Sequence, residues 1–418
     1  MPRSFISEDD IEKTIMDMLH SPELGYEVLY LDPSPEKKED LNDGTGRIDK
    51  STCVLPEVLR SSLKFLNPQV SSDELSQTFD VFSRDYSFSD IGQVNFELYQ
   101  KIREGQKIDV VRKGKEDFDL VKIIDFDNPE NNVFTAVSQM WIKGRYGWRR
   151  PDILVFVNGL PLVFIELKNS TIKVEEAYSN NLSNYKKDIP NVFALNQICV
   201  LSNGIQTRIG AWNATYDYFF QWLKVNSEDE KPDRKMIQAD MNSEQFFVRG
   251  LLNKKRLLDY IENFVMFDNG KKISKVIAEN HQYLGVNNLM SSLDNRKKLL
   301  GKLGVFWHTQ GSGKSYSMIF FARKVFRKRH GNFSFLIVTD RDELDQQLFK
   351  TFVRTGTISK NELCKPKSSG QLRDYLRTNK PFVFTLIHKF RYDKGKTYPV
   401  LSKRDDIIVM VDEAHRTE

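Results

Sequence analysis

One stretch constrains this chain more than any other. It runs Arg149-Arg150-Pro151-Asp152-Ile153-Leu154-Val155-Phe156-Val157, then Asn158-Gly159, then Leu160-Pro161-Leu162-Val163-Phe164-Ile165-Glu166-Leu167-Lys168. Two apolar runs around Asn-Gly predict a β-hairpin, because such turns need positive φ at both central positions. A register symmetric about Gly159 places Asp152 and Glu166 opposite one another, with Cβ atoms roughly 5 Å apart. Period-two alternation adds Lys168 to the face of Glu166. Both faces of the hairpin are apolar, so it is expected to be central and covered. Opposed carboxylates at the end of such strands repel and are poorly solvated, a cost that a divalent cation reverses. Mg²⁺ suits them, since it takes oxygen ligands at about 2.1 Å and keeps waters for chemistry. An ammonium beside them can position or deprotonate a water and stabilise charge on phosphate. The competing reading is an ion-paired strand end in which Lys168 neutralises one carboxylate; the symmetry and two-sided burial favour the metal site.

The remaining composition narrows the class. At 418 residues the chain can bury two or more cores. Its 62 Lys+Arg against 57 Asp+Glu, net +5, permit polyanion binding without indicating it. No apolar run reaches the roughly 18 residues that span a bilayer. The opening MPRSFISEDDIEKT lacks the pattern of a signal peptide. Cys53, Cys199 and Cys364 are too scattered for a CxxC metal site or a disulfide framework. A cytoplasmic protein without a membrane segment is expected.

Residues 11–19 carry helical apolar spacing after a Ser-Glu-Asp-Asp start, and predict an opening helix. The polar, Pro-broken stretch 225–233 reads as a joint, which divides the chain into domains 1–240 and 241–418. A helix is predicted from Glu244 to Phe267. Beyond it, strands at 304–307, 333–339, 382–387 and 406–411 alternate with helices, the pattern of a parallel sheet covered by helices.

His308-Thr309-Gln310-Gly311-Ser312-Gly313-Lys314-Ser315 lies between the first of those strands and a helical run. Strand, glycine-rich turn and helix are the context of a phosphate-binding loop. The glycines let backbone N–H groups close on phosphate, Lys314 is placed for the β and γ phosphates, and the Ser315 hydroxyl for Mg²⁺. The strand 406–411 ends in Asp412-Glu413-Ala414-His415.

Taken together, these strings resemble a known family. Pro151-Asp152 with Glu166-Leu167-Lys168 resembles the PD-(D/E)xK nuclease core, and residues 149–170 are similar to the amino-terminal domain of type I restriction enzyme R (HsdR) subunits. The loop resembles the HsdR phosphate loop, and Asp412-Glu413 resembles the DEAH box of superfamily 2 motors. The resemblance implies a fold class: an α/β restriction-endonuclease-like domain followed by a RecA-like P-loop parallel-sheet domain. It implies that Asp152, Glu166 and the Leu167 carbonyl hold metal while Lys168 assists the attacking water. Tyr185 falls in the family's Gln-x-x-x-Tyr element, with Asn181 where Gln is usual, and Glu12 sits where related nucleases place another acid. In the motor half, Asp412 would hold Mg²⁺ through water and Glu413 would orient the hydrolytic water. Gln282 would read adenine, and segments 339–348 and 385–390 would contact the DNA backbone.

The implied activity is ATP-dependent translocation of double-stranded DNA coupled to Mg²⁺-dependent cleavage. The implied partners are a methyltransferase subunit, which carries S-adenosylmethionine, and a specificity subunit. The chain reads as the front part of such a subunit, since it stops just after the DEAH box. Two alternatives stay open: a DNA translocase or binding module with an inert nuclease site, and an ATP-dependent nuclease-helicase outside type I restriction.

Overall fold

The computed structural model describes residues 5–112, 115–307, 311–360, 362, 365–390 and 400–412. The protein is mixed α/β and divides into two compact units, Met1–Val265 with Ile273–His281 and Met266–Lys272 with Gln282–Glu418. Among the described residues no helix is long and apolar enough to cross a membrane.

The first unit opens with the expected helix, Glu8–His20. Ser7 Oγ accepts the Asp10 N–H, and the Asp10 carboxylate accepts the Ser7 N–H, so two groups at the helix start satisfy each other. The buried stripe Ile11, Ile15, Met16 and Leu19 anchors the helix. The unit's sheet has seven strands, ordered Glu27–Tyr30, Phe134–Ser138, Ile153–Val157, Leu160–Leu167, Ile198–Ser202, Thr207–Gly210 and Phe220–Gln221. Both outer neighbours of the central hairpin are in place: Phe134–Ser138 pairs antiparallel with Ile153–Val157, and Ile198–Ser202 pairs parallel with Leu160–Leu167. Every residue of the two hairpin strands is buried, as the two apolar faces predict. Leu154, Phe156 and Phe164 join one core with Leu182, Tyr185 and Phe193.

The hairpin register differs from a simple symmetric one. Asn158 and Gly159 take φ of 51° and 79°, so the turn has two residues and pairs Val157 with Leu160 and Phe156 with Pro161. Continued outward, that register would set Asp152 against Ile165. A bulge intervenes between Val155 and Phe156, and Leu162 is the extra residue. Beyond it the pairs are Val155↔Val163, Leu154↔Phe164 and Ile153↔Ile165, so the next position outward brings Asp152 to Glu166. The expected opposition is reached, through a bulge rather than through symmetry of the turn.

The second unit contains a parallel three-stranded sheet ordered Phe382–Leu386, Ser334–Thr339, Ile407–Val411. Aromatic packing ties it together: Phe335 stacks on Phe382, and Phe352 meets Phe382 and Phe384 edge-on. The strand expected at 304–307 is not formed. Val305 and Trp307 are 85% and 84% exposed, and the sheet offers that segment no partner among the described residues. Composition alone does not make a strand where no neighbouring strand supplies ladder hydrogen bonds.

The single helix expected from Glu244 to Phe267 is two helices, Ser243–Leu251 and Lys254–Asn263, followed by the strand Val265–Asn269. Asn253 restarts the helix by accepting the Arg256 N–H. Both helices pack with the first unit rather than opening the second. Tyr26 Oη donates to the Leu252 carbonyl at 2.7 Å, and Tyr99 Oη donates to the carbonyls of Ile261 and Val265. The stretch 225–233 is an internal loop, because the Glu230 carboxylate accepts the N–H groups of Val225, Asn226 and Ser227. Its polarity is consumed locally, so a composition that reads as a linker belongs to an ordered turn.

Candidate active site

The open end of the central hairpin gathers the predicted nuclease residues. Asp152 Oδ2 accepts the Leu167 N–H at 2.7 Å, which fixes that carboxylate against the strand bearing Glu166. Lys168 Nζ lies 3.4 Å from Glu166 Oε1 and donates to the Leu167 carbonyl at 2.6 Å. Ammonium, carbonyl and both carboxylates therefore share one end of the sheet. Glu166 is 1% exposed, and its Oε2 has no hydrogen-bond partner among the described residues.

The electrostatics follow from burial. Burial pushes the Asp152 carboxyl up to about 7, against the Leu167 N–H and Lys168, which favour the charged form. Glu166 is raised well above the usual carboxylate range by burial first and by the Asp152 charge second. Perturbed acids in close proximity are a mark of functional sites. An orphaned buried carboxylate oxygen is costly unless a cation or proton meets it.

Asn181 and Tyr185 approach from the helical side. Ala177–Leu182 is a π-helical turn that continues into the α-helix Ser183–Asp188, a local widening often found at functional sites. The Asn181 amide donates to Glu166 Oε1, so the shorter side chain spans the gap. Tyr185 Oη donates to the Arg150 carbonyl at 3.0 Å, and its ring packs edge-on against Phe164.

The first helix supplies two acids where the sequence nominated one. Glu12 Oε2 accepts from the Gln139 amide, and burial raises this carboxyl as well. One turn earlier, Glu8 Oε1 accepts the Asn169 N–H at 3.3 Å and lies 3.7 Å from Lys168 Nζ. The i, i+4 spacing of Glu8 and Glu12 is a signal that was available in the sequence. Gln139 was not foreseeable. Its φ of 58° is unusual for a residue with a side chain, its N–H donates to the Asp152 carbonyl at 2.9 Å, and its amide lies 3.4 Å from Asp152 Oδ1 while bonding Glu12. Among the described residues no group of three or more His, Cys, Asp and Glu side chains has metal-holding geometry, so the candidate set is two carboxylates plus the Leu167 carbonyl.

In the second unit, Gly311 and Gly313 take φ of 84° and 71°, and Gly313 caps the helix Lys314–Lys328 that carries Lys314 and Ser315. Gln282 Nε2 donates to the Gly313 carbonyl at 2.9 Å, which joins this predicted adenine reader to the loop with Ser312. A Cβ on Gly313 would lie 2.7 Å from that nitrogen. Asp412 follows the strand Ile407–Val411, and its N–H donates to the Val338 carbonyl at 2.9 Å. Thr309, Gln310 and Glu413 lie outside the described residues.

Comparison with known proteins agrees with both halves. Residues 5–218 match the family described as type I restriction enzyme R protein N terminus, and residues 281–418 match the SWI2/SNF2 ATPase family. The type I restriction enzyme HindI endonuclease subunit of Haemophilus influenzae is 36% identical over 99% of this chain and 39% of its own length. The putative type I restriction enzyme MjaIXP endonuclease subunit of Methanocaldococcus jannaschii is 29% identical over 94% of this chain and 38% of its own. The chain thus spans about two-fifths of the length of these relatives. With its amino-terminal half matched throughout, the chain belongs to the type I restriction enzyme R protein family.

Proposed function

We propose that the chain forms the nuclease and first motor portions of the restriction subunit of a type I restriction-modification system. The observation that carries this reading is the convergence of Asp152, Glu166, the Leu167 carbonyl and Lys168 on one buried strand end. The first unit is then a PD-(D/E)xK endonuclease domain and the second a RecA-like domain. The setting is cytoplasmic, and the substrate is double-stranded DNA.

The donor set fits Mg²⁺: two carboxylates and a carbonyl are hard oxygen ligands, and the orphaned Glu166 Oε2 is a lone pair awaiting a cation. Asp152, Glu166 and the Leu167 carbonyl would hold the ion, which when bound supplies Lewis acidity and an acidified water. The chain's own groups do the rest. The Asn181 amide holds Glu166 Oε1, and the Leu167 N–H holds Asp152 Oδ2, so both carboxylates are oriented before substrate arrives. Lys168, largely shielded from solvent, stabilises the charge that develops on the phosphate and guides the water. Gln139 sets Glu12 beside Asp152 as a further acid.

In the second unit the N–H groups of Gly311 to Ser315 would cradle ATP phosphates, Lys314 would meet the β and γ oxygens, and Ser315 and Asp412 would hold the accompanying Mg²⁺. Glu413 would orient the hydrolytic water. A methyltransferase subunit carrying S-adenosylmethionine and a specificity subunit supply target recognition.

The test is plasmid cleavage by a full-length restriction subunit carrying these 418 residues, reconstituted with its methyltransferase and specificity partners, ATP, S-adenosylmethionine and Mg²⁺. Lys168→Ala is expected to abolish cleavage but keep ATP turnover. Lys314→Ala is expected to lose both. Cleavage that survives Lys168→Ala at the wild-type rate would sink the nuclease assignment.

A further inference from the structure

Between Gln139 and Asp152 the chain leaves the sheet and returns. The Gln139 N–H to Asp152 carbonyl bond closes the base of this excursion, directly at the acidic site. The strands Ile142–Gly144 and Gly147–Arg149 pair antiparallel, with Lys143 opposite Trp148, and Arg145 and Tyr146 form the tip. At about 3.3 Å per extended residue, Arg145 stands no more than about 23 Å from Asp152.

Residues 141–150 read Trp-Ile-Lys-Gly-Arg-Tyr-Gly-Trp-Arg-Arg, with four cations and no acid, in a chain whose charges are otherwise almost balanced. Two of the cations fix the base. Arg149 Nε donates to Asp188 Oδ2 at 2.7 Å, and Arg150 donates to the Pro33 carbonyl. The other two, Lys143 and Arg145, are exposed and form no ion pair with a described residue. Rings hold them in place: Lys143 and Lys38 lie over Trp148, at 6.0 and 5.8 Å from its centroid, and Arg145 lies 4.9 Å from Phe88 and 5.0 Å from Tyr146. Cations resting on aromatic faces lose less rotamer freedom when they meet an anion, because part of that freedom is already gone.

We propose that this ribbon is the element that docks the sugar-phosphate backbone of duplex DNA beside the nuclease site, with Lys143 and Arg145 on phosphates and the exposed Tyr146 against sugar. This rests on the nuclease reading above and names the surface that would present its substrate. The contact assigned is to backbone phosphate and sugar, which fixes the position of the duplex and carries no sequence information. Measured along the helix axis, one DNA strand presents a phosphate about every 3.4 Å, so a ribbon of this reach can meet more than one of them.

The experiment is fluorescence anisotropy of a labelled duplex with the 418-residue chain, over a salt series, without divalent ion or nucleotide. The comparison is wild type against Lys143→Ala/Arg145→Ala, with Lys64→Ala/Lys235→Ala as an exposed control pair. Loss of two phosphate contacts is expected to reduce the slope of log affinity against log salt by about 2 in the ribbon variant only. Any DNA contact made elsewhere in the chain is common to all three proteins and cancels. An unchanged slope overturns the proposal, including the case in which the ribbon faces a protein partner. Because binding is read without metal, Lys168→Ala tests the nuclease reading separately: cleavage lost there with an unchanged ribbon slope overturns only the ribbon, and the reverse pattern overturns only the nuclease.

Discussion

Asp152 is tied to the strand of Glu166 by the backbone of the next residue: its Oδ2 accepts the Leu167 N–H at 2.7 Å. That bond is possible because Leu162 is bulged out of the ladder nearer the turn, which advances the opposite strand by one position. Since side chains alternate, a slip of one residue sends the whole set to the other face of the sheet.

Deleting Leu162 and Val163 together tests this directly. Pro161 would then be followed by Phe164, and the register set by the Asn158-Gly159 turn would bring Leu167, not Glu166, opposite Asp152. Loss of metal-dependent cleavage is expected, with secondary structure retained by far-ultraviolet circular dichroism, because both faces of the hairpin are apolar and tolerate exchange. Deleting Leu162 alone removes the bulge but keeps Asp152 opposite Glu166, so that variant should still cleave. Full activity in the double-deletion variant would refute the role of the register.

The acidity of the site predicts how stability depends on pH. Asp152 is raised from 3.8 to about 7, so the folded protein keeps a proton there that the unfolded chain releases. The stabilisation this group contributes is fully present below about pH 4 and is lost as pH rises through about 7. A shift of this size corresponds to as much as about 4 kcal/mol. In the proposed function Mg²⁺ binds the ionised pair, so the rise in Tm on adding Mg²⁺ should be larger at pH 8 than at pH 5.5. A Mg²⁺ effect of equal size at both values would contradict the assignment of these carboxylates.

Among the described residues the acid that Asn181 meets by a hydrogen bond is Glu166. Asn181→Ala removes the only side-chain amide on Glu166 Oε1 among the described residues, and supporting groups of this kind are typically worth 10- to 100-fold. Cleavage should fall by about that factor, with Mg²⁺ affinity, read by calorimetry on the intact chain, falling in step. A variant with wild-type affinity and rate would assign the amide to packing alone.

Gly313 bears on the second unit. Its φ of 71° disfavours any side chain, and a Cβ there would press on Gln282 Nε2. Gly313→Ala should cost about 1–2 kcal/mol at the loop, or roughly a tenfold loss of affinity for an ATP analogue. Titration with a fluorescent analogue measures it, and unchanged affinity would show that the loop accommodates the methyl group.

Much of the site could be read from the sequence because it depends on local rules. Asn158-Gly159 between apolar runs specifies a tight hairpin wherever it occurs, and capping residues such as Ser7 specify a helix start from neighbours three positions away. The glycines of the phosphate loop likewise follow from what backbone must do near an anion. Other features rest on contacts between distant residues. Gln139 reaches Glu12 across 127 positions, and its positive φ has no local signature. The helices 243–263 carry an apolar stripe that would suit either unit, and contacts with distant residues, those of Tyr26 and Tyr99 among them, show which core receives it. Residues 304–307 have strand-like composition, yet the fold gives them no ladder partner among the described residues. Local chemistry therefore determined which residues this protein places at its turns, caps and acidic strand end. Tertiary structure decided the register, the place of Gln139 between Glu12 and Asp152 and the limits of each unit, because hydrogen bonds and burial across the chain are settled only when the whole sheet is assembled.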